Sequence, residues 1–245
     1  MADLKRSVRK FGRKLRRYFF DGQTMEFGHN AFSDMKEFLR NRKLPLILDV
    51  GGHIGDSVDL FKQAFPCGVI HSFEPSLRSF RKLKANTAGK RDVFVWNHAI
   101  GATPGKKTLL ENESTGMSSF LELGEFGWGK IESQAVVDVM TLDAFVAVNQ
   151  IERVDILKSD TQGYELEVLK GAEQMLRAKR VGLIYLELIF SPMYKGLPRV
   201  DQLFQHLTER GFELVSFYDI QCQRNVADWA DALFVNKRYF GDPRT

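Results

Sequence analysis

The sequence predicts an α/β fold built on a doubly wound, mostly parallel sheet of about seven strands. Short apolar runs alternate with segments of 3.6-residue periodicity along most of the chain. The first apolar run ends in an aspartate and a glycine-rich turn, which is where open parallel sheets bind ligands. With 245 residues, 44% of them hydrophobic, the chain can form one large domain of this kind.

Seven segments are predicted as strands because they are short, apolar and bounded by turn residues. They are residues 46–50, 69–73, 93–97, 154–158, 182–188, 213–218 and 232–235. Helices are predicted at 33–42, 57–65, 77–86, 164–178 and 200–210. Alternating strands and helices imply a parallel sheet with helices on both faces.

Two regions depart from this alternation. The last two predicted strands are joined by a polar stretch too short for a crossover helix, which favours an antiparallel closing pair. Between residues 101 and 145, two further strands are predicted at 107–111 and 135–140, around a loop rich in glycine and serine. We expect one folded domain over 44–237, preceded by a helical lead-in at 21–43 and followed by a tail at 238–245.

Positive charge is concentrated at the N-terminus. Residues 1–20 contain eight Lys and Arg against one Asp, a charge of +7, so the rest of the chain carries −3 of the total of +4. On a helical wheel, one stripe holds the apolar side chains of Leu4, Val8, Phe11, Leu15, Tyr18 and Phe19. All eight cations lie on the remaining arc, which predicts a basic amphipathic helix.

Such a helix can bind an anionic membrane surface. The alternatives are packing on its own domain or forming a homodimer. Nucleic acid is not expected, because no basic groove interleaved with aromatic residues occurs elsewhere. No apolar run spans a bilayer, no secretory signal is present, and Cys67 and Cys222 belong to no metal-binding pattern. We expect a cytoplasmic protein without a metal site, peripheral on the inner face of the membrane.

The stretch LILDVGGHIGDS, residues 46–57, predicts a ligand site after the first strand. A dinucleotide-binding turn has the pattern GxGxxG and receives a pyrophosphate. Here Asp49 precedes the turn, Gly51 and Gly55 frame it, and His53 stands where a middle glycine is typical. A carboxylate before the turn opposes a diphosphate and suits a cationic ligand. The alternative is an ordinary glycine-rich connection.

Glu74 follows the second strand, 25 residues after Asp49. An acid at this place can accept hydrogen bonds from a ribose diol, and its alternative role is to cap the helix that begins at Pro75 and Ser76. Together the two carboxylates predict a site for S-adenosylmethionine. The residues expected to contact S-adenosylmethionine, the donor of this site, are Asp49, Gly51, Gly52, His53, Gly55, Asp56, Ser57, Glu74, Pro75, Asn97 and Ala99.

Further motifs follow in a fixed order. They are FEPS, NHAIG at 97–101, TLDAF at 141–145, DILKSDTQGYELEVLKGA at 155–172, MYKGLP at 193–198 and DALFV at 231–235. In these motifs the chain resembles the FkbM family of S-adenosylmethionine-dependent O-methyltransferases, over about residues 44–237. The resemblance implies a Rossmann-like sheet of seven strands whose last strand is antiparallel. It also implies methyl transfer to a hydroxyl, often of a sugar, a glycosylated lipid or a natural product.

Two residues depart from the family pattern. His53 stands where the family usually has Asn or a small residue, and Gln162 replaces the usual acid of an Asp-x-Glu-Gly motif. If that acid is essential, the chain is a degenerate protein that binds donor or membrane without catalysis. A nicotinamide-dependent oxidoreductase is a further alternative, against which the glycine spacing and Asp49 argue.

Methyl transfer to a hydroxyl requires alignment and a positioned base. Asp160 follows the strand at 154–158 at the same sheet edge as Asp49, so we expect it to be the acid or base, with helix capping as its alternative. Glu187, near the end of the next strand, is the second candidate. His98 is the third, with a structural role as its alternative.

Acceptor binding is expected at Tyr194 and Lys195, which lie on a loop bounded by glycine and proline. A solvated surface loop is the alternative. Glu165 is expected to be a carboxylate at a helix start. The acceptor itself is expected to be a sugar or glycoconjugate hydroxyl, lipid-linked at a membrane, or else a non-sugar natural product.

Overall fold

A seven-stranded sheet organises residues 28–241, the part of the chain that the structure, a computed structural model, describes. Its strands are β1 (Leu46–Val50), β2 (Val69–Phe73), β3 (Val93–Trp96), β7 (Val154–Ser159), β8 (Val181–Ile189), β9 (Glu213–Gln223) and β10 (Val226–Val235). A second sheet contains β4 (Ala99–Ile100), β5 (Gly105–Asn112) and β6 (Ile131–Met140), in the order β4-β6-β5.

The strand order of the large sheet is β3-β2-β1-β7-β8-β10-β9. Neighbours are parallel from β3 to β8, and β10 is antiparallel to both β8 and β9. The hairpin between β9 and β10 turns at Arg224 and Asn225, both with positive φ, as a type I′ hairpin turn requires. Seven strands with the last one antiparallel are therefore confirmed.

Helices cover both faces of this sheet. They are α1 (Ala31–Phe38), α2 (Asp56–Ala64), α3 (Leu77–Asn86), α4 (Leu142–Val148), α5 (Glu165–Lys170), α6 (Glu173–Arg177) and α7 (Val200–Thr208). One buried cluster joins α1, α2 and α3 to the sheet around Met35 and Phe61. A second buried cluster packs the helices α4, α5, α6 and α7 against the opposite face of the sheet, around Phe145 and Leu169. Burial of these two apolar faces holds the layers together.

The helix predicted at 164–178 is wrong in one respect, because the structure divides it into α5 and α6 at Gly171. A Cβ at Gly171 would lie 2.2 Å from the carbonyl oxygen of Gly101. The Asp143 carboxylate also accepts the N–H groups of Gln174 and Met175, at 2.8 and 3.0 Å. A side chain from α4 thus caps a second helix start that periodicity cannot reveal.

Smaller differences concern boundaries. The helix predicted at 33–42 begins at Ala31, where Asn30 caps it, and ends at Phe38. The strands predicted at 213–218 and 232–235 extend into the long β9–β10 hairpin. The pair predicted at 107–111 and 135–140 is confirmed as β5 and β6, whereas β4 and α4 were not predicted.

The predicted basic helix at residues 1–20 lies outside the described residues, as do the start of the lead-in and the end of the tail. Within residues 28–241, no helix is both long and apolar enough to cross a bilayer.

Candidate active site

Asp49, at the end of β1, is fully buried. Its Oδ2 accepts hydrogen bonds from Ser72 Oγ at 2.6 Å and Ser57 Oγ at 2.9 Å. Lys158 Nζ lies 3.2 Å from its Oδ1. Because all of these partners belong to the protein, Asp49 fixes the start of α2 and the neighbouring strands to the first turn.

The glycine turn packs directly against its neighbours. A Cβ at Gly51, whose φ is +80°, would lie 1.9 Å from the carbonyl oxygen of Asp160. A Cβ at Gly52 would lie 2.0 Å from Ser72 Oγ. Both glycine N–H groups donate to the carbonyl of Phe73, at 3.0 and 2.9 Å. Glycine is therefore required here for the turn to lie close to β2 and to the loop after β7.

Helix α2 begins directly after this turn. Gly55 is its N-cap with φ of +103°, and Asp56 is its first residue. Burial, and then the neighbouring Asp59, raise the pKa of Asp56. The expected donor contacts Gly55, Asp56 and Ser57 thus lie together at a helix N-terminus, where the helix dipole favours negative charge.

Glu74 joins the turn to α3. Its Oε2 accepts the N–H of His53 at 2.9 Å, and its Oε1 accepts the N–H of Ser76 at 2.8 Å. Burial raises the pKa of Glu74 to about 7, although these two bonds favour its ionised form. Each carboxylate oxygen retains acceptor capacity. The Glu74 side chain can therefore hold the start of α3 and also accept hydrogen bonds from a ribose.

His53 has a left-handed backbone, with φ of +48°. Its Nε2 lies 2.7 Å from Thr115 Oγ1, in a hydrogen bond with the segment between β5 and β6. Burial lowers the pKa of His53. The imidazole therefore connects the glycine turn to residues 113–130, which we call the β5–β6 segment.

Residues after β3 border the same region. Asn97 Nδ2 donates to the carbonyls of Glu74 and Pro75, at 2.9 and 3.0 Å. Ala99 is buried as the first residue of β4. Asn97 thus holds the loop that presents Glu74.

His98 follows Asn97 in the same segment. Its Nδ1 is buried and has no hydrogen-bond partner within the described part of the chain. Gly101, three residues further along, lies against Tyr164, because a Cβ at Gly101 would be 3.3 Å from the ring of Tyr164. His98 forms no hydrogen bond with Asp160 within the described residues.

Gln162 is the centre of a second cluster, at the ends of β7 and β8. Its Nε2 donates to Asp160 Oδ1 at 2.9 Å and to Glu187 Oε2 at 2.7 Å. Its Oε1 accepts a hydrogen bond from the Tyr194 hydroxyl at 2.8 Å. The structure thus brings together three of the predicted site residues, Asp160, Glu187 and Tyr194, through a residue that sequence reasoning regarded only as a lost acid.

Lys158 lies between the two clusters and was missed by sequence reasoning. Its buried Nζ donates to the carbonyl of Gly51 at 2.8 Å and lies 4.0 Å from Asp160 Oδ2. Burial opposes its charge, but Asp49 and Asp160 outweigh that effect and raise the pKa of Lys158. A lysine inside the apolar strand DILKSD is the signal that could have revealed it, because a buried ammonium needs anionic partners.

Glu165, the first residue of α5, holds the loop that carries Asp160. Its Oε1 accepts from Thr161 N at 2.8 Å, Thr161 Oγ1 at 3.0 Å and Gly163 N at 3.2 Å. Burial raises the pKa of Glu165 to about 7. The Glu165 carboxylate therefore shapes the loop that carries Asp160.

The two residues expected to bind acceptor lie in different surroundings. Tyr194 is buried, and burial followed by the charge of Glu187 raises the pKa of its hydroxyl, so it remains a donor. Lys195 is exposed and pairs with Glu122 of the β5–β6 segment at 2.9 Å. Tyr194 therefore faces the carboxylate cluster, while Lys195 lies at the surface.

The β5–β6 segment packs over this cluster. Ser119 Oγ donates to the carbonyl of Gln162 at 2.7 Å, and the Tyr194 hydroxyl lies 3.2 Å from the carbonyl of Met117. Gly124 N donates to the carbonyl of Met193 at 2.8 Å. Among residues 28–241, no three His, Cys, Asp or Glu side chains form a group that could hold a metal ion.

A family model described as the methyltransferase FkbM domain matches residues 49–214. The chain belongs to the FkbM methyltransferase family. The methyl donor of this family is S-adenosylmethionine. This confirms both the family and the donor that the sequence motifs indicated.

Known proteins resemble the chain at low identity. The 2-O-methyltransferase NoeI of Sinorhizobium fredii is 24% identical over 163 residues, which are 62% of this chain and 66% of that protein. Methyltransferase 1 of Beauveria bassiana is 28% identical over 144 residues, 52% and 58% of the two chains. The match thus spans less than two thirds of either relative. Aeropyrum pernix fibrillarin, solved with natively bound S-adenosyl-L-methionine, is 16% identical with a TM-score of 0.47, over 78% of this chain and 66% of that one.

Proposed function

We propose that this FkbM-family protein transfers a methyl group from S-adenosylmethionine to a hydroxyl of a sugar or glycoconjugate. The observation that carries the proposal is the pair of carboxylates, Asp160 and Glu187, joined by Gln162 next to the first turn. Carboxylates accept hydrogen bonds from hydroxyls, and a sugar offers several of these within a few ångströms. A relative named as a 2-O-methyltransferase supports an oxygen acceptor.

The donor side of the site fits S-adenosylmethionine. Glu74 keeps acceptor capacity for a ribose diol, and the buried Nδ1 of His98 has no partner within the described residues. Asp56 places a carboxyl at the start of α2, and Asp49 acts through its hydrogen-bonded neighbours to hold the turn. When bound, S-adenosylmethionine supplies a methyl group whose bond to sulfur breaks as the acceptor oxygen bonds to its carbon.

The acceptor side supplies orientation and a base. The Asp160 side chain is 41% exposed, so an acceptor hydroxyl can reach it. Asp160 takes the proton of that hydroxyl, while Glu187 and the Tyr194 hydroxyl orient the acceptor. The buried Lys158 ammonium lies 4.0 Å from Asp160 Oδ2 and places a positive charge beside this carboxylate. A base positioned in this way contributes ~10²- to 10⁴-fold to the rate.

Attachment to a membrane is the second part of the proposal. The charge of +7 and the apolar stripe of residues 1–20 match an interfacial helix. A helix of this kind would hold the protein on the inner face of the membrane, near a lipid-linked acceptor.

The full chain with S-adenosylmethionine and a panel of sugars, lipid-linked glycans and natural products tests the function. Mass spectrometry should detect the gain of one methyl group on a sugar hydroxyl. Asp160→Asn should lower turnover by ~10²-fold or more while calorimetry shows unchanged affinity for S-adenosylhomocysteine. The matched surface exchange Asp201→Asn should leave both unchanged.

Full turnover by Asp160→Asn would remove Asp160 from the mechanism. Methylation of natural products but of no sugar would show that the acceptor is a natural product rather than a sugar. Tight donor binding without any methylated product would instead indicate a protein that binds the donor without catalysis.

A further inference from the structure

We propose that Gln162 is the positioning residue of the acceptor site, and that its amide joins Asp160 and Glu187 by hydrogen bonds, so that the site forms without a divalent cation. This inference rests on the proposed function. It concerns how Asp160 and Glu187 are held together, and therefore what the site requires in order to work.

The amide orientation of Gln162 follows from its partners. Both hydrogens of its Nε2 point to carboxylates, at 2.9 Å from Asp160 and 2.7 Å from Glu187. Its Oε1 faces the Tyr194 hydroxyl, which remains protonated and can only donate to it. The reversed amide would set its oxygen against two carboxylates, so the chemistry of the partners fixes one orientation.

The backbone directs this side chain into the cluster. Gln162 has φ of +55°, in the left-handed region that glycine favours. The surrounding structure holds it there, because Ser119 Oγ donates to its carbonyl and Glu165 accepts the N–H groups on either side, those of Thr161 and Gly163. A strained backbone that neighbouring groups maintain is typical of functional positions.

Electrostatics explains why an amide is useful at this point. Two carboxylates that converge on one group repel each other, and one of them tends to take up a proton unless positive charge or donors lie between them. The amide of Gln162 offers one N–H to each carboxylate. It therefore holds Asp160 and Glu187 on either side of one amide group, one to accept a proton and the other to bind a neighbouring hydroxyl.

An acid at position 162 would change this chemistry. Glutamate would bring three carboxylates to one point, and three carboxylates are the hard oxygen ligands that Mg²⁺ and Mn²⁺ prefer. The site in this chain joins its two carboxylates through an uncharged donor, so its geometry is complete without a divalent cation between them. The inference is therefore that Gln162→Glu converts a cation-independent site into a cation-binding one.

The test uses the full chain and Mn²⁺ as the probe. Gln162→Glu should bind Mn²⁺ in calorimetry and electron paramagnetic resonance, while the unsubstituted protein and Gln150→Glu should not. Gln150 is a matched control, because it is exposed and has a similar φ of +54°. With EDTA, turnover should fall at least tenfold in Gln162→Glu, recover with Mn²⁺, and stay unchanged in the unsubstituted protein.

A second variant tests positioning without new charge. Gln162→Leu has nearly the same size but removes all three hydrogen bonds, so kcat should fall at least tenfold, the pH profile should shift, and affinity for S-adenosylhomocysteine should remain. Full turnover in Gln162→Leu, loss of turnover in the unsubstituted protein with EDTA, or a folded Gln162→Glu that binds no Mn²⁺ would each overturn the inference. Mn²⁺ binding by Gln162→Glu without methylation of any acceptor by the unsubstituted protein would overturn the proposed function, and with it the acceptor-positioning role of Gln162, while supporting the cation-free geometry of the cluster.

Discussion

Glu74→Gln separates the two tasks that we assign to Glu74, because only the carboxylate ionises. The pKa of Glu74 is raised by burial from 4.5 to about 7. At about 1.4 kcal/mol per pKa unit, ionisation of the buried carboxyl makes the folded protein less stable by roughly 3 kcal/mol. The folded protein binds this proton more tightly than the unfolded chain. The contribution of the protonated Glu74 carboxyl to stability is therefore complete below about pH 4.5 and is lost as the pH rises through about 7.

Urea denaturation from pH 4.5 to 8 measures this effect. The free energy of unfolding of Glu74→Gln, relative to the unsubstituted protein, should rise by roughly 3 kcal/mol over this range. At every pH, the variant should also lose about 1 kcal/mol of its free energy of unfolding. The amide must turn its Nε2 towards the N–H of His53 or Ser76, and so it loses one hydrogen bond. Glu152→Gln, an exposed exchange, should show neither slope nor offset.

Donor binding should change in the opposite direction. A ribose diol that donates to an ionised carboxylate contributes about 1.5 to 3 kcal/mol, so calorimetry at pH 8 should show S-adenosylhomocysteine binding at least tenfold weaker in Glu74→Gln. The affinity of the unsubstituted protein should decline below pH 7, whereas that of the variant should not. Equal affinity in both proteins at pH 8 would refute the ribose assignment, and parallel stability profiles would refute the burial argument.

Two further predictions concern the buried lysine and the N-terminal segment. Lys158→Met leaves the fully buried Asp49 without its counter-ion, so urea denaturation should show a free energy of unfolding lower by about 3 to 5 kcal/mol. Lys170→Met removes an exposed pair with Glu167 and should change the free energy of unfolding by less than about 1 kcal/mol. Similar losses in both variants would contradict the stabilising role of the buried ion pair. Deletion of residues 1–20 should abolish sedimentation with anionic vesicles but leave turnover of soluble acceptors intact, whereas unfolding of the truncated chain would show that this segment packs on protein.

The alternation of strands and helices along the chain could be predicted because local patterns determine it. Each strand is a short apolar run, and the alternation of periods two and 3.6 requires a parallel sheet with helices on both faces. The division of the helix after Tyr164 could not be predicted in this way. It depends on a carboxylate of α4, Asp143, which lies 31 residues before Gln174 in sequence and caps a new helix start.

The donor side was predictable to a similar degree. Asp49 lies at the end of β1 and Glu74 directly follows β2, so their positions at one sheet edge are set by the alternation itself. What each carboxylate contacts could not be deduced, because Asp49 is enclosed by Ser57, Ser72 and Lys158. These partners come from three separate elements, and only their packing shows that no oxygen of Asp49 reaches solvent.

The cluster at the ends of β7 and β8 could not be predicted from the motif that contains it. In the sequence, the amide at position 162 is a departure from an Asp-x-Glu-Gly motif, and it leaves a protein without catalysis as an alternative. In the folded chain, a left-handed backbone and three partners from separate segments make the same amide the group that connects Asp160, Glu187 and Tyr194. Because a hydrogen-bond donor and a cation can both hold two carboxylates together, we infer that a change of residue type at this point alters what the site requires rather than whether it can form.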